Sequence, residues 1–222
     1  MKNSVFAQTY YLLAICILLG SQAVMAQEQQ TANETQFGLK GGVNFSDLFT
    51  EGADRSNTIA GFNAGLFAKV AVASKWAIQP EIYYTTKGAE VTYNNSFVDG
   101  TARFRLNYIE MPLLLVADIG DKVQIMLGPY ASYLVGGKVK NSSNVQLFNF
   151  EDNISVNDYN RFDFGIVAGI SMDFGTVSIG SRYTYGLTTV GKERTFAGSQ
   201  YTFPDANNGV LNFFMAVPIL GN

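Results

Sequence analysis

The sequence predicts an all-β fold, an eight-stranded antiparallel up-and-down transmembrane β-barrel. Three observations carry that expectation. Apolar residues recur with a period of two in segment after segment, the mark of strands whose two faces meet different surroundings. Tight turns and long polar loops alternate along the chain. Charge is also scarce: 15% of the 222 residues are charged and 14% are aromatic. A soluble domain carries about 25% charged residues, so something other than water is expected to cover part of the surface.

The chain opens with a leader. Lys2 gives a weakly positive start, Tyr10 to Leu19 is apolar, and Val24, Met25 and Ala26 form a small-residue cleavage site. The apolar core is roughly half of the ~20 residues that a spanning helix needs. Residues 1–26 therefore read as a cleaved secretory signal peptide. A short membrane anchor is one alternative; a lipidated Cys16 is another. Ile15 is not small, however, and Cys16 sits inside the apolar core. Cleavage removes Lys2, one of 15 basic residues, and none of the 18 acidic ones, leaving a net charge of −4. It also removes the only cysteine, so no disulfide staples the mature chain. Residues 27–35 form a polar leader, and 36–222 the barrel domain.

The strands follow in order. Strand one, about 36–45, alternates Phe37, Leu39, Val43 and Phe45 with Gly38, Lys40, Gly42 and Asn44. After a polar loop, 46–58, strand two (about 59–72) sets Phe62, Leu66 and Val70 against Gly61, Asn63 and Lys69. Ala73-Ser74-Lys75 is a tight turn. Strand three, about 76–93, sets Trp76, Ile78, Ile82 and Tyr84 against Gln79, Glu81, Tyr83 and Lys87. A second loop covers 94–103. Strands four and five form the clearest hairpin, from Tyr108 to Val135 around the polar turn Asp118 to Lys122. There Ile109, Met111, Leu113 and Leu115 oppose Tyr108, Glu110 and Leu114, and Ile125, Leu127 and Tyr133 oppose Gln124, Tyr130 and Ser132. The longest loop is 136–160. Strand six, about 161–174, sets Phe162, Phe164, Ile166 and Ile170 against Asp163, Gly165 and Gly169. A tight turn at Gly175 and Thr176 leads to strand seven (about 177–187), with Ile179, Tyr183, Tyr185 and Leu187 against Gly180, Arg182 and Thr184. The last loop, 188–208, precedes strand eight (about 209–220), where Leu211, Phe213 and Met215 oppose Asn212 and Phe214. Short turns at the even connections and long loops at the odd ones match an outer-membrane barrel with periplasmic turns and external loops.

In the interior of every strand the apolar face is free of charge. The other face carries Lys40, Lys69, Glu81, Lys87, Glu110, Asp163, Asp173 and Arg182, four positive and four negative, with many glycines. If the apolar face points outward it meets lipid. If it points inward the protein is a soluble exported barrel with a cavity for an apolar ligand. Three features favour lipid: the export signal, the rim aromatics, and the glycines beside long charged side chains. Trp76, Tyr84, Tyr133, Tyr183 and Tyr185 end the apolar face, as interfacial girdles do. An eight-stranded barrel is just wide enough for its own side chains, and small residues beside large ones fill it. Closure pairs every edge, which lipid requires.

Inside, Lys40, Lys69 and Arg182 are placed to pair with Glu81, Glu110 and Asp163. A structural ion-pair network that fixes register is the favoured reading; an ion path or narrow porin-like channel is the rival. Unpaired buried charges cost several kcal/mol each, and so small a barrel leaves little room for water. Enzymatic readings are disfavoured. The chain has no histidine, which removes the commonest base and metal ligand. Glu81 and Glu110 as a glycosidase pair lack a cleft, and no phosphate loop, CxxC or HExxH occurs. No catalytic residue, cofactor or resident metal is expected. Without a basic stripe, nucleic acid is no partner either.

The expected location is the cell outer membrane, and the expected partners are its lipid and lipopolysaccharide. The external loops 46–58, 94–103, 136–160 and 188–208 are where protein partners would bind. Glu151, Asp152 and Asp158 read as a solvated acidic loop, with a calcium site as the sharper alternative. Arg103 and Arg105 enter strand four at its outer end. Arg105 lies on the lipid face and could meet a lipopolysaccharide phosphate or simply snorkel at the rim.

The chain resembles the PorT-like family of small outer-membrane β-barrels of Bacteroidetes. The resemblance is carried by Gly38 to Phe45, by Ile78 to Gly88 and by Tyr108 to Leu115. Gly128-Pro129-Tyr130 and Phe162 to Gly165 with Gly169 add to it, so it spans nearly the whole barrel domain. It implies an eight-stranded barrel, no catalytic residues and a structural, surface-interaction or secretion-accessory role, some members being tied to type IX secretion. One departure is the end, Leu220-Gly221-Asn222, where many such barrels carry an aromatic residue.

Overall fold

The computed structural model describes residues 35–50, 56–94, 99–143, 150–154, 159–191, 193–196, 199–202 and 206–221. The expected signal peptide, Cys16 and the leader up to residue 34 lie outside these residues, as do parts of the expected loops, Asp158 included. Among the described residues eleven strands form. They are β1 (Gln36–Thr50), β2 (Ser56–Ala73), β3 (Trp76–Asn94), β4 (Asp99–Ile119), β5 (Val123–Ser143) and β6 (Phe150–Asn153). β7 (Phe162–Asp173), β8 (Ser178–Thr189), β9 (Glu193–Phe196), β10 (Ser199–Thr202) and β11 (Ala206–Leu220) complete the set.

Eight of these close a ring. Its order is β4-β3-β2-β1-β11-β8-β7-β5, and a β4–β5 pairing joins the ends. All ring pairings are antiparallel. The eight expected strands are these eight. Closure leaves no strand edge in the ring, which is how a barrel satisfies its backbone where no water can.

The expected loops are shorter than the polar sequence suggests. β4 starts at Asp99 and β5 runs to Ser143, 21 residues each, and their pairing continues to Gly100↔Ser143. Spanning a membrane takes about 9–11 residues per strand, so this ribbon projects well beyond the apolar belt. On β5 from Gly136 to Ser143 no residue is fully buried on either face and the apolar alternation fades, yet the backbone ladder persists. β6 pairs with the outer part of β5, and β9 and β10 form a separate hairpin within the last expected loop.

The three tight turns stand as expected at the opposite end of the ring. Gly120 and Gly175 adopt the left-handed conformation, with φ of 68° and 87°, that glycine takes without strain. The Asp173 side chain accepts from Gly175 N at 2.7 Å, an Asx-type turn.

The two faces are the reverse of a soluble protein. Large apolar side chains are exposed on all eight ring strands, among them Leu39, Leu66, Ile82, Leu113, Phe164 and Met215. The core is the ring's interior. Phe67, Leu114, Val116, Met126, Val167 and Phe214 form one buried cluster; Ala89, Leu106, Tyr108, Leu134 and Val190 form a second, with Ile154 and Tyr159 packed against it. Inward glycines make room for large neighbours. A Cβ on Gly165 would come within 2.6 Å of the Tyr130 ring, and one on Gly180 within 2.6 Å of the Phe214 ring.

Candidate functional site: the buried charge network

The interior holds two charged layers and an amide layer. The lower charged layer, nearer the tight turns, is centred on Glu81 of β3. Lys40 Nζ lies 2.6 Å from Glu81 Oε1, and Arg182 Nη1 lies 2.6 Å from Oε2. Gln79 Nε2 also donates to Oε1 at 2.7 Å. Lys40 reaches Glu81 across β2, where its register partner is Gly65; a glycine offers no side chain to block the way. Arg182 sits on β8, four strands from β3 in either direction around the ring, so its bond to Glu81 crosses the full lumen. The Phe214 ring backs both cations, 3.9 Å from Lys40 Nζ and 5.6 Å from Arg182 Cζ, a cation–π geometry.

The upper charged layer is centred on Lys87. Its Nζ lies 2.5 Å from Glu110 Oε2 and 3.3 Å from Asp163 Oδ2. Asp163 also accepts from Tyr130 Oη at 3.0 Å, Asn208 Nδ2 at 3.0 Å and Thr188 Oγ1 at 2.9 Å. Tyr83 links the layers: it donates to Glu110 at 2.5 Å, and Arg182 Cζ stands 4.7 Å from its ring. The amides sit to one side. Asn63 and Asn212 donate to Asn44 Oδ1 at 2.8 and 2.9 Å, and Asn44 Nδ2 donates to Thr85 Oγ1 at 2.8 Å. Lys40, Glu81, Lys87, Glu110, Asp163 and Arg182 are all buried. Two cations share one carboxylate below, and one cation shares two carboxylates above, so the six charges balance across the layers.

The structure brings together five of the six expected network residues and separates the sixth. Lys69 is not in the network. It pairs with Asp118 at 3.1 Å at the turn end, with a partly exposed side chain, because its place near the end of β2 puts it at the mouth. Lys87 takes its position. Its inward parity was visible in sequence, but its two partners lie on β4 and β7, and only closure brings them within reach. Asn44, Asn63 and Asn212 also stand on inward positions that alternation identifies, whereas their mutual contact depends on register.

Among the described residues the interior is packed with buried side chains. A cavity of about 30 Å3 opens near the turns, with Lys40, Phe67 and Phe214 among its lining residues; it has room for only about a water or two. At the other end Ile154 and Tyr159 cover the second apolar cluster, and Asn160 is tied to Thr189 O and Gly191 O at 2.8 and 2.9 Å. The soluble-barrel alternative needs an apolar interior for its ligand. The observed interior is charged and packed, and the apolar side faces out.

Of the expected girdle aromatics, Trp76 and Tyr183 are well exposed, and Tyr84, Tyr133 and Tyr185 are partly so. Trp76 stands at the turn end. Tyr133 lies higher, edge-on to Phe162 at 5.2 Å, and its hydroxyl accepts from Arg161 at 2.8 Å. The acidic loop residue Glu151 stands beside Lys138 and Lys140, at 3.5 and 4.0 Å. Among the described residues no three His, Cys, Asp or Glu side chains converge as a metal site.

Comparison with known proteins bears on this geometry. No curated protein matches the chain. Among solved structures, Neisserial surface protein A is similar at 15% identity and a TM-score of 0.50, over 82% of this chain and 97% of that one. That similarity supports the fold. Ail, the attachment invasion locus protein of Yersinia pestis, is similar at 17% identity and a TM-score of 0.47, over 84% of this chain and 99% of that one. The family model described as outer membrane protein beta-barrel domain matches residues 25–191. An eight-stranded ring with an apolar exterior, a paired polar interior and a family match over most of its length makes this chain a member of the outer membrane protein beta-barrel domain family, located in the outer membrane.

Proposed function

We propose that this protein is a non-enzymatic structural barrel whose lumen is a plug and whose projecting strands and loops supply its surface interactions. The observation that carries this reading is the Arg182–Glu81 bond across the whole lumen, backed on both sides by packed side chains. A conducting pore needs a continuous water path, and an enzyme needs a cleft that exposes its reactive groups. The buried charges here are instead spent on one another. Export by the signal peptide, with the tight turns in the periplasm and the long strand ends outside, belongs to the same reading. A PorT-like secretion-accessory role rests on the sequence resemblance alone, carried by Gly38 to Phe45, Ile78 to Gly88, Tyr108 to Leu115, Gly128 to Tyr130 and Phe162 to Gly165 with Gly169.

The test is conductance. The purified full-length protein, shown to be folded by a mobility change on boiling in detergent, is reconstituted into planar bilayers. No steady current is expected. A stable, ion-selective conductance from the unmodified protein would replace the plug with a narrow channel.

A further inference from the structure

We propose that the outward face of the β4–β5 ribbon, just beyond the apolar belt, binds the phosphate groups of an outer-leaflet lipopolysaccharide through Arg103, Arg105, Lys138 and Lys140. The inference rests on the reading that this end of the barrel faces outward.

The starting point is an anomaly in the ladder. Arg105 lies directly opposite Lys138, and Arg103 directly opposite Lys140. Like charges directly opposite one another destabilise a strand pair, and here two such pairs are stacked. A bulge puts them there. Tyr108 pairs with Leu134 and Asn107 with Gly136, so Val135 is an extra residue on β5. Below it the odd-numbered residues of β5, such as Ile125 and Leu127, face outward. Above it the even-numbered ones do, and Lys138 and Lys140 are exposed. Without the bulge both lysines would point over the mouth of the lumen. Bulges re-aim side chains in this way, and this one gathers four cations on one face of a chain whose net charge is −3.

The cations are incompletely matched. Glu90 accepts from Arg103 Nε at 2.8 Å. Glu151 is shared between Lys138 and Lys140 at 3.5 and 4.0 Å. Among the described residues Arg105 has no carboxylate partner. Four positive charges therefore face two negative ones, and the patch favours an added anion.

Its position selects the anion. Below the patch, on the same outward face, stand Val135 and, beyond Asn107 and Ile109, Met111 and Leu113; Val135, Met111 and Leu113 are about half exposed. A ligand with phosphates at the patch and acyl chains along these residues satisfies both. The outer-leaflet lipid of an outer membrane has that form, and guanidinium forks match phosphate oxygens.

The test titrates diphosphoryl lipid A into the purified full chain in zwitterionic micelles and reads the lipid-bound fraction by native mass spectrometry. Folding of each variant is checked by its mobility before and after boiling. Arg105→Gln with Lys138→Gln is expected to weaken binding by roughly tenfold or more. Lys75→Gln with Lys122→Gln, which removes the same charge from exposed turns at the other end, is expected to leave it unchanged. Dephosphorylated lipid A is expected to bind the unmodified protein roughly tenfold more weakly, a comparison that stands even if the double variant does not fold. Equal binding of the two lipids, equal losses in both double variants, or displacement of lipid A by an equal concentration of inorganic phosphate would overturn the proposal. Micelle binding does not depend on sidedness, so protease access to the long loops in whole cells tests the outward orientation separately.

Discussion

The Arg182–Glu81 pair in the lumen and the Lys138–Glu151 pair on the projecting ribbon are the same chemistry in two media. The first has side chains 1% and 0% exposed; the second, 61% and 51%. Water screens the outer pair, and two long side chains must be held still to make it, so such a pair contributes about 0–1 kcal/mol. The inner pair has already lost its water. Its charges depend on one another, and removing one partner leaves the other stranded. What the contrast teaches is that the interior network is costly to break without being a large net source of stability. The benefit we propose for it is specificity: a bond from β8 to β3 across the ring forms only when all eight strands close in one register. The outer cluster imposes no such constraint and is left available to a ligand.

Four substitutions sharpen this contrast, each read as the shift in a denaturant unfolding midpoint of the protein folded in lipid. The largest loss is expected for Glu81→Ala, which leaves Lys40 and Arg182 buried together without their carboxylate. A cost of about 3–5 kcal/mol follows; a loss below 1 kcal/mol, by the same scale, would mean that water reaches the layer. Next comes Asn44→Ala. It strips the acceptor from Asn63 and Asn212 and should cost about 1–3 kcal/mol, with the charged layers intact. Lys69→Ala is expected to cost no more than about 1 kcal/mol, because its pair with Asp118 stands at the wet mouth. A loss as large as that of Glu81→Ala would return Lys69 to the interior network. The smallest change is expected for Glu151→Gln, within about 0.5 kcal/mol, with a slight gain in lipid A binding as the patch becomes more positive.

Much of the barrel was legible because lipid outside and packed side chains inside impose opposite chemistries on alternate residues. That contrast wrote itself into all eight ring strands, and it assigned Lys40, Glu81, Glu110, Asp163 and Arg182 to the inside. It failed in two kinds of place. Where the strands rise into water, as from Gly136 to Ser143, both faces are solvated and a paired strand looks like a loop. At the Val135 bulge, one extra residue reverses the parity, and simple alternation would have turned Lys138 and Lys140 inward.

The sequence by itself determined the fold class, the number of ring strands and the side taken by strand residues within the apolar belt, because period-two patterning is a local consequence of having two environments. Only the tertiary structure decided who meets whom. Lys87 finds Asp163, 76 residues away, and Arg182 finds Glu81, 101 residues away, through closure and register. Those are set by the summed pairing of eight strands, and no single segment encodes them.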